Sequence, residues 1–146
     1  MPTNQTSEST RTAIETLRAR AMAAAQHAYC PYSKFRVGAA LISRSGAIYS
    51  GCNVENASYG LTNCAERTAI FQMVAAGETA FDAIAIYTPT LMPTAPCGAC
   101  RQVLNEFNPD AEVICLCDGA SSLQFRVRDL LPGAFGPANL NCQIED

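Results

Sequence analysis

The chain has one histidine, His27, and one lysine, Lys34, in 146 residues. A zinc site closed by a histidine pair is therefore excluded. Basic residues are few: ten Lys and Arg stand against thirteen Asp and Glu, giving a net charge of −3 and a sequence pI of about 5.1. Binding a nucleic-acid backbone calls for a basic patch, and the nine arginines are scattered, so no polynucleotide partner is expected. No apolar run reaches the roughly 18 residues that span a bilayer, and no membrane partner is expected. Residues 1–10 are polar and lack the apolar core of a secretory signal. Eight cysteines without such a signal point to a reducing, cytoplasmic compartment, where thiols stay free or hold metal. There is no internal repeat and no linker. With 49% hydrophobic residues, one compact domain over residues 10–146, after a disordered tail at 1–9, is the expectation.

What is present reads as alternating elements. Residues 10–28 place Ile14, Leu17, Ala21 and Ala25 at helical spacing, and Pro31 ends that helix. Residues 36–43 and 47–53 form a hairpin across the turn at 44–46. A helix over 65–76 closes at Gly77. The run FDAIAIY at 81–87 is a buried strand, and three prolines stiffen the loop 88–96. A second helix at 98–107 precedes the strand EVICLC at 112–117, a weaker strand at 123–127 and a helical turn at 128–131. This order predicts an α/β fold, a three-layer α/β/α sandwich around a mixed five-stranded sheet. Both middle helices should lie on one face of the sheet with their N-termini converging.

Two stretches at those N-termini carry the chemistry, Cys64-Ala65-Glu66 and Pro96-Cys97-Gly98-Ala99-Cys100. Cys97 and Cys100 alone have CxxC spacing, and Cys64 precedes them. Three thiolates suit a catalytic zinc, which keeps its fourth position for water. A structural knuckle would need a fourth ligand, and no second CxxC or His pair exists to supply one. A redox dithiol is the other alternative, although this one follows a proline-rich loop rather than the first strand of a βαβ unit. Three thiolates and one Zn2+ leave about one negative charge, which discourages ionisation of a bound water. Helix N-termini oppose that charge, and so would Arg67, one turn beyond Cys64, unless it is simply a surface arginine. Glu66, beginning the same turn as Cys64, is placed as a proton shuttle; alone it would read as a carboxylate complementing the helix dipole. Cys30, Cys52, Cys115, Cys117 and Cys142 read as small buried hydrophobes.

A resemblance rests on five blocks. They are Phe35-Arg36-Val37-Gly38-Ala39-Ala40, Gly51-Cys52-Asn53-Val54-Glu55-Asn56-Ala57, Cys64 to Ile70, Pro96 to Gln102, and Leu130-Leu131-Pro132 with Phe135-Gly136-Pro137. In that order, from about Tyr29 to Pro137, the chain resembles the small, homotetrameric, zinc-dependent class of cytidine deaminase. Deaminases of tRNA adenosine or deoxycytidylate resemble a His-Ala-Glu version of the first motif, so Cys64 favours the free-nucleoside family. The resemblance implies a hydrolase that deaminates cytidine and deoxycytidine to uridine and deoxyuridine plus ammonia, in pyrimidine salvage. It implies one Zn2+ per subunit held by Cys64, Cys97 and Cys100, with Glu66 as the acid/base. It implies that Asn53 and Glu55 hold the ribose hydroxyls, that the N–H of Ala65 meets the pyrimidine carbonyl, and that Phe35 packs on the nucleoside. Phe135 would come from a neighbouring subunit, and Tyr59 would line an intersubunit contact. A related aminonucleoside such as blasticidin S is the alternative substrate, which the Asn53-Val54-Glu55 ribose grip disfavours. A non-catalytic zinc-stabilised module is the alternative outside enzymology.

Overall fold

Three of the five strands are mostly apolar and buried, and the sheet is built on them. They are β1 (Gly38–Ser43), β3 (Phe81–Thr88) and β4 (Glu112–Cys117); β2 (Ile48–Cys52) and β5 (Leu123–Arg126) take the edges. The order is β2-β1-β3-β4-β5. The β3–β4 pair is parallel, with Ala85 opposite Ile114, and the other pairs are antiparallel. Strands buried on both faces need continuous apolar sequence, which Ile84 to Tyr87 and Val113 to Cys117 supply.

The structure, a computed structural model, describes residues 5–141. Two cores flank the sheet. On one face α1 (Gln5–Ala25) sets Leu17, Ala21 and Ala25 against Ala40, Ala85, Tyr87, Ile114 and Leu116. On the other, α2 (Ala65–Ala75) and α3 (Gly98–Phe107) pack Ala69, Ile70, Met73 and Leu104 on Leu41, Ile84, Ile86 and Val113. The mixed five-stranded sheet between helical layers is the expected α/β architecture, and the two middle helices do share one face.

Close packing of α2 depends on Gly51. A Cβ there would lie 2.5 Å from the Ala69 nitrogen and 2.8 Å from the Ala65 carbonyl. The absent side chain lets the first turns of α2 rest directly on β2.

Several boundaries differ from the sequence reading. Helix α1 starts at Gln5, not Thr10, because no Gly or Pro interrupts residues 3–28. Of the expected disordered tail at 1–9, residues 5–9 therefore belong to α1, and residues 1–4 lie outside the described residues. The helix ends at Ala25, where the Arg36 guanidinium caps the carbonyls of Ala25, Gln26 and Ala28 at 3.4, 3.0 and 3.2 Å. Strand β1 starts at Gly38 rather than Arg36. The Asn53 side chain takes the place of a strand partner there, donating to the Phe35 carbonyl at 2.7 Å and accepting from the Val37 N–H at 2.9 Å. A short helix, α5 (Pro137–Leu140), lies near the C-terminal end of the described residues, with Pro137 at its first position. A second short helix, α4 (Val127–Leu130), is the expected helical turn moved by one residue. Cys142, expected to be buried, lies outside the described residues.

Candidate metal centre and active site

Cys64 and Cys97 are the N-cap residues of α2 and α3, with extended backbones at φ −77°, ψ 157° and φ −66°, ψ 166°. Neither side chain caps its own helix, so both sulfurs are left to point into the space between the two N-termini. Cys100 sits in the first turn of α3 and is fully buried behind them. The Cys64 and Cys97 sulfurs are 3.8 Å apart, and all three lie within 4.8 Å of one another. A tetrahedral zinc with bonds of about 2.3 Å sets its sulfurs about 3.8 Å apart, so the donors fit that ion in both chemistry and spacing. Among the described residues no further His, Cys, Asp or Glu joins the group. A fourth corner is thus left for a non-protein ligand.

Charge is managed by neighbours. Arg67 donates from Nη2 to the Cys64 sulfur at 3.2 Å, while its buried Nε has no hydrogen-bond partner among the described residues. The Cys100 thiol and the Arg67 guanidinium, both donating to Cys64, bring its pKa down to about 5 against the opposing effect of burial. Cys100 moves the other way, because its proton is committed to Cys64 and because burial and the Glu66 charge oppose ionisation. Ligation must displace that proton, so zinc uptake releases protons and strengthens with pH.

Glu66 is in the first turn of α2 and only 5% exposed. Burial, aided by the negative Cys64 sulfur, raises its pKa. It opens on a cleft of about 250 Å³ that is lined also by Phe35, Asn53, Glu55, Cys64 and Cys97. The cleft lies where β3 ends, with Ile86 and Thr88 in its wall, and where α2 and α3 begin. Crevices at the carboxyl ends of strands are the usual ligand sites of such sheets.

The other anticipated residues divide into two groups. Asn53 and Glu55 are in the cleft wall, and both also hold the loop before β1. The two polar atoms of Asn53 bind the Phe35 and Val37 backbone, leaving one N–H and one lone pair free. One oxygen of Glu55 accepts from the N–H groups of Tyr32 at 3.0 Å and Ser33 at 3.1 Å. The Ser33 hydroxyl and then these N–H groups, with Lys34, keep its carboxyl below the usual range. Ala65, Tyr59 and Phe135 do not line the cleft. Ala65 is fully buried, Tyr59 is 75% exposed and meets Tyr32 edge-on at 5.8 Å, and Phe135 is 58% exposed. Sequence reasoning missed Ser33, Thr62, Asn63, Thr88 and Thr94 in the wall. Small polar residues at loop and strand ends carry no spacing signal that singles them out.

Comparison with known proteins follows this geometry. The family described as "Cytidine and deoxycytidylate deaminase zinc-binding region" matches residues 11–117. A cytidine deaminase of Sporosarcina psychrophila is 46% identical over 133 residues, covering 90% of this chain and 98% of that protein. One from Halalkalibacterium halodurans is 48% identical over 122 residues, covering 83% and 92%. The crystal structure of cytidine deaminase from Burkholderia pseudomallei superposes with a TM-score of 0.80 at 51% identity, covering 83% of this chain and 98% of that one. The match spans both cysteine motifs and strands β1 to β4, and the chain belongs to the cytidine and deoxycytidylate deaminase zinc-binding family.

Proposed function

We propose that the protein hydrolytically deaminates cytidine and deoxycytidine to uridine and deoxyuridine, releasing ammonia, as a step of pyrimidine salvage. The observation that carries this reading is a buried carboxyl group, Glu66, opening on the same cleft as a three-sulfur centre with no fourth protein ligand among the described residues. Cys64, Cys97 and Cys100 would hold one zinc per subunit. When bound, zinc would lower the pKa of a coordinated water and so supply a nucleophile at neutral pH. Glu66 is the proton carrier: it accepts from water, delivers to N3 of the pyrimidine, then takes the proton of the C4 hydroxyl and passes it to the departing amine as the carbonyl forms. Its burial favours the protonated form, which suits a group that must both give and take a proton.

Recognition falls to the cleft wall. The spare N–H of Asn53 and the second oxygen of Glu55 face the ribose hydroxyls, a donor and an acceptor for vicinal groups that are both. The N–H of Ala65 is at the first position of α2, where helix geometry leaves it unpaired, and it meets the pyrimidine carbonyl. Phe35, 41% exposed, covers the nucleoside. Phe135 lies outside the cleft of its own chain and reaches that of a neighbour in a homotetramer. Apolar side chains exposed at Leu61, Phe71 and Leu140 favour such self-association, and Tyr59 stands beside Leu61 for the same contact. A cytoplasmic location suits thiolate ligands, which oxidising compartments would consume. Among the described residues no helix is long and apolar enough to cross a membrane.

The test is loss of cytidine absorbance on adding purified, zinc-loaded protein, with and without a chelator. Chelator-sensitive turnover is expected. Bound zinc without turnover would identify a zinc-stabilised module instead, and turnover of blasticidin S in place of cytidine would replace the substrate.

A further inference from the structure

The wall of the cleft opposite Asn53 and Glu55 is made by the segment between β3 and α3. Thr88, Thr94 and Ala95 line it, and it delivers Cys97. At its inner end Pro96 is buried and Arg101 donates to the Pro96 carbonyl at 2.8 Å, but apolar burial does not hold its outer part, where Leu91 and Met92 are 81% and 69% exposed. What holds it is the turn after β4. The Asp118 N–H donates to the Thr90 carbonyl at 2.9 Å, and the buried Cys117 thiol shares its one proton between the carbonyls of Leu91 at 3.5 Å and Ser121 at 3.3 Å. At Gly119 a Cβ would lie 2.1 Å from the Leu91 oxygen and 3.0 Å from its carbonyl carbon. The turn is itself fastened: Tyr87 donates to Asp118 at 2.6 Å, and Arg18 of α1 donates to the Cys117 carbonyl at 3.3 Å. On the loop side, the Thr90 hydroxyl bridges Thr88 and the Met92 carbonyl, each at 2.7 Å.

We infer that the turn Cys117–Gly119 is a latch that positions the cleft wall and Cys97, with Gly119 as the residue whose missing side chain lets Leu91 seat. Neither Cys117 nor Gly119 touches substrate or metal; both act through the 89–96 segment. A side chain at Gly119 meets backbone rather than a flexible side-chain tip, so the segment itself must move. Movement widens the cleft and loosens the third sulfur's approach to the other two. This inference rests on the deaminase reading for its kinetic consequence alone.

The experiment uses the zinc-loaded full chain and three variants, Gly119→Ala, Cys117→Ala and Cys117→Ser. Zinc transfer to a chromogenic chelator is timed, and KM and kcat for cytidine are measured alongside the melting temperature. The latch predicts that Gly119→Ala releases zinc at least threefold faster and raises KM at least threefold, with kcat within twofold. Cys117→Ala should shift both quantities in the same direction, and Cys117→Ser, which restores a donor, should return them toward wild type. Zinc release and KM within twofold of wild type in both Gly119→Ala and Cys117→Ala, whatever happens to melting, would overturn it. Should Gly119→Ala fail to fold, the Cys117 pair decides, and equal behaviour of its Ala and Ser forms overturns the latch. Absence of turnover by the wild-type protein would refute the deaminase reading instead, and the zinc-release ratios would still decide the latch.

Discussion

At the scale of single residues, Glu66 and Arg67 divide two tasks that their adjacency in sequence conceals. In the proposed deaminase Glu66 carries protons, and it lies outside the three-sulfur group, so Glu66→Gln should keep zinc at one equivalent. Turnover should fall by about 10²-fold to 10⁴-fold, the usual worth of a positioned acid/base; metal analysis beside steady-state kinetics separates the two effects. Arg67 neutralises sulfur. Its guanidinium is 3.2 Å from the Cys64 sulfur, and with Cys100 it keeps that thiol ionised well below neutrality. Arg67→Ala should therefore weaken zinc retention against a competing chelator and slow turnover. Unchanged metal content and rate would show that helix N-termini suffice. Both residues were legible in the sequence because a cysteine, a carboxylate and an arginine at fixed offsets on one helical turn converge on one chemistry. The double use of Asn53 was not legible. Nothing in the sequence says that its amide stands in for a strand partner to residues 35 and 37.

At the scale of elements, α2 and α3 were readable because each has an unambiguous helical run ending at Gly77 or before Pro109, and each opens on a cysteine. Their convergence followed from topology. Their seating did not, since it depends on a contact between elements: Gly51 against the first turns of α2. Gly51→Ala should cost about 1–3 kcal/mol, as overpacking does, measured by urea denaturation. It should also loosen zinc, because Cys64 travels with the helix; lost stability with undisturbed zinc affinity would show that α2 tilts about its N-terminus. The far end of α2 carries a different device. The hydroxyls of Ser43, Tyr49 and Ser45 hold the Glu78 carboxyl below its ordinary range, with Tyr49 at 2.8 Å and Ser45 at 2.9 Å. A carboxyl with a lowered folded pKa contributes stability above its unfolded value and loses it as pH falls through the folded one. Glu78→Gln should therefore lower the urea midpoint at neutral pH, with the gap to wild type closing as pH falls below the carboxylate range. A gap independent of pH would mean that the Glu78 contact is steric.

At the scale of the whole molecule, the chain is a support that carries two helix N-termini to one point beside an open cleft. The loop before β1, the segments around Asn53 and Asn63, the end of β3 and the segment that delivers Cys97 wall the cleft. Phe135, expected at the base, lies outside it and is more than half exposed. A phenyl ring kept at the surface of its own chain, with its carbonyl tied to Gln102 of α3 at 2.8 Å, is oriented without being buried. That arrangement costs the isolated chain apolar exposure and is offset only if another subunit receives the ring. Complementation tests this directly. Glu66→Gln subunits lack the proton carrier but keep Phe135, and Phe135→Ala subunits have the reverse defect. Each should be impaired alone, the second mainly through a raised KM. After subunit exchange, mixed oligomers would place an intact Phe135 over an intact Glu66, and activity should exceed the sum of the separate preparations. Light scattering would establish that the mixture is a tetramer. If tetramers exchange subunits and activity only averages, the ring works within its own chain or not at all, and the shared-site reading fails while the zinc centre stands.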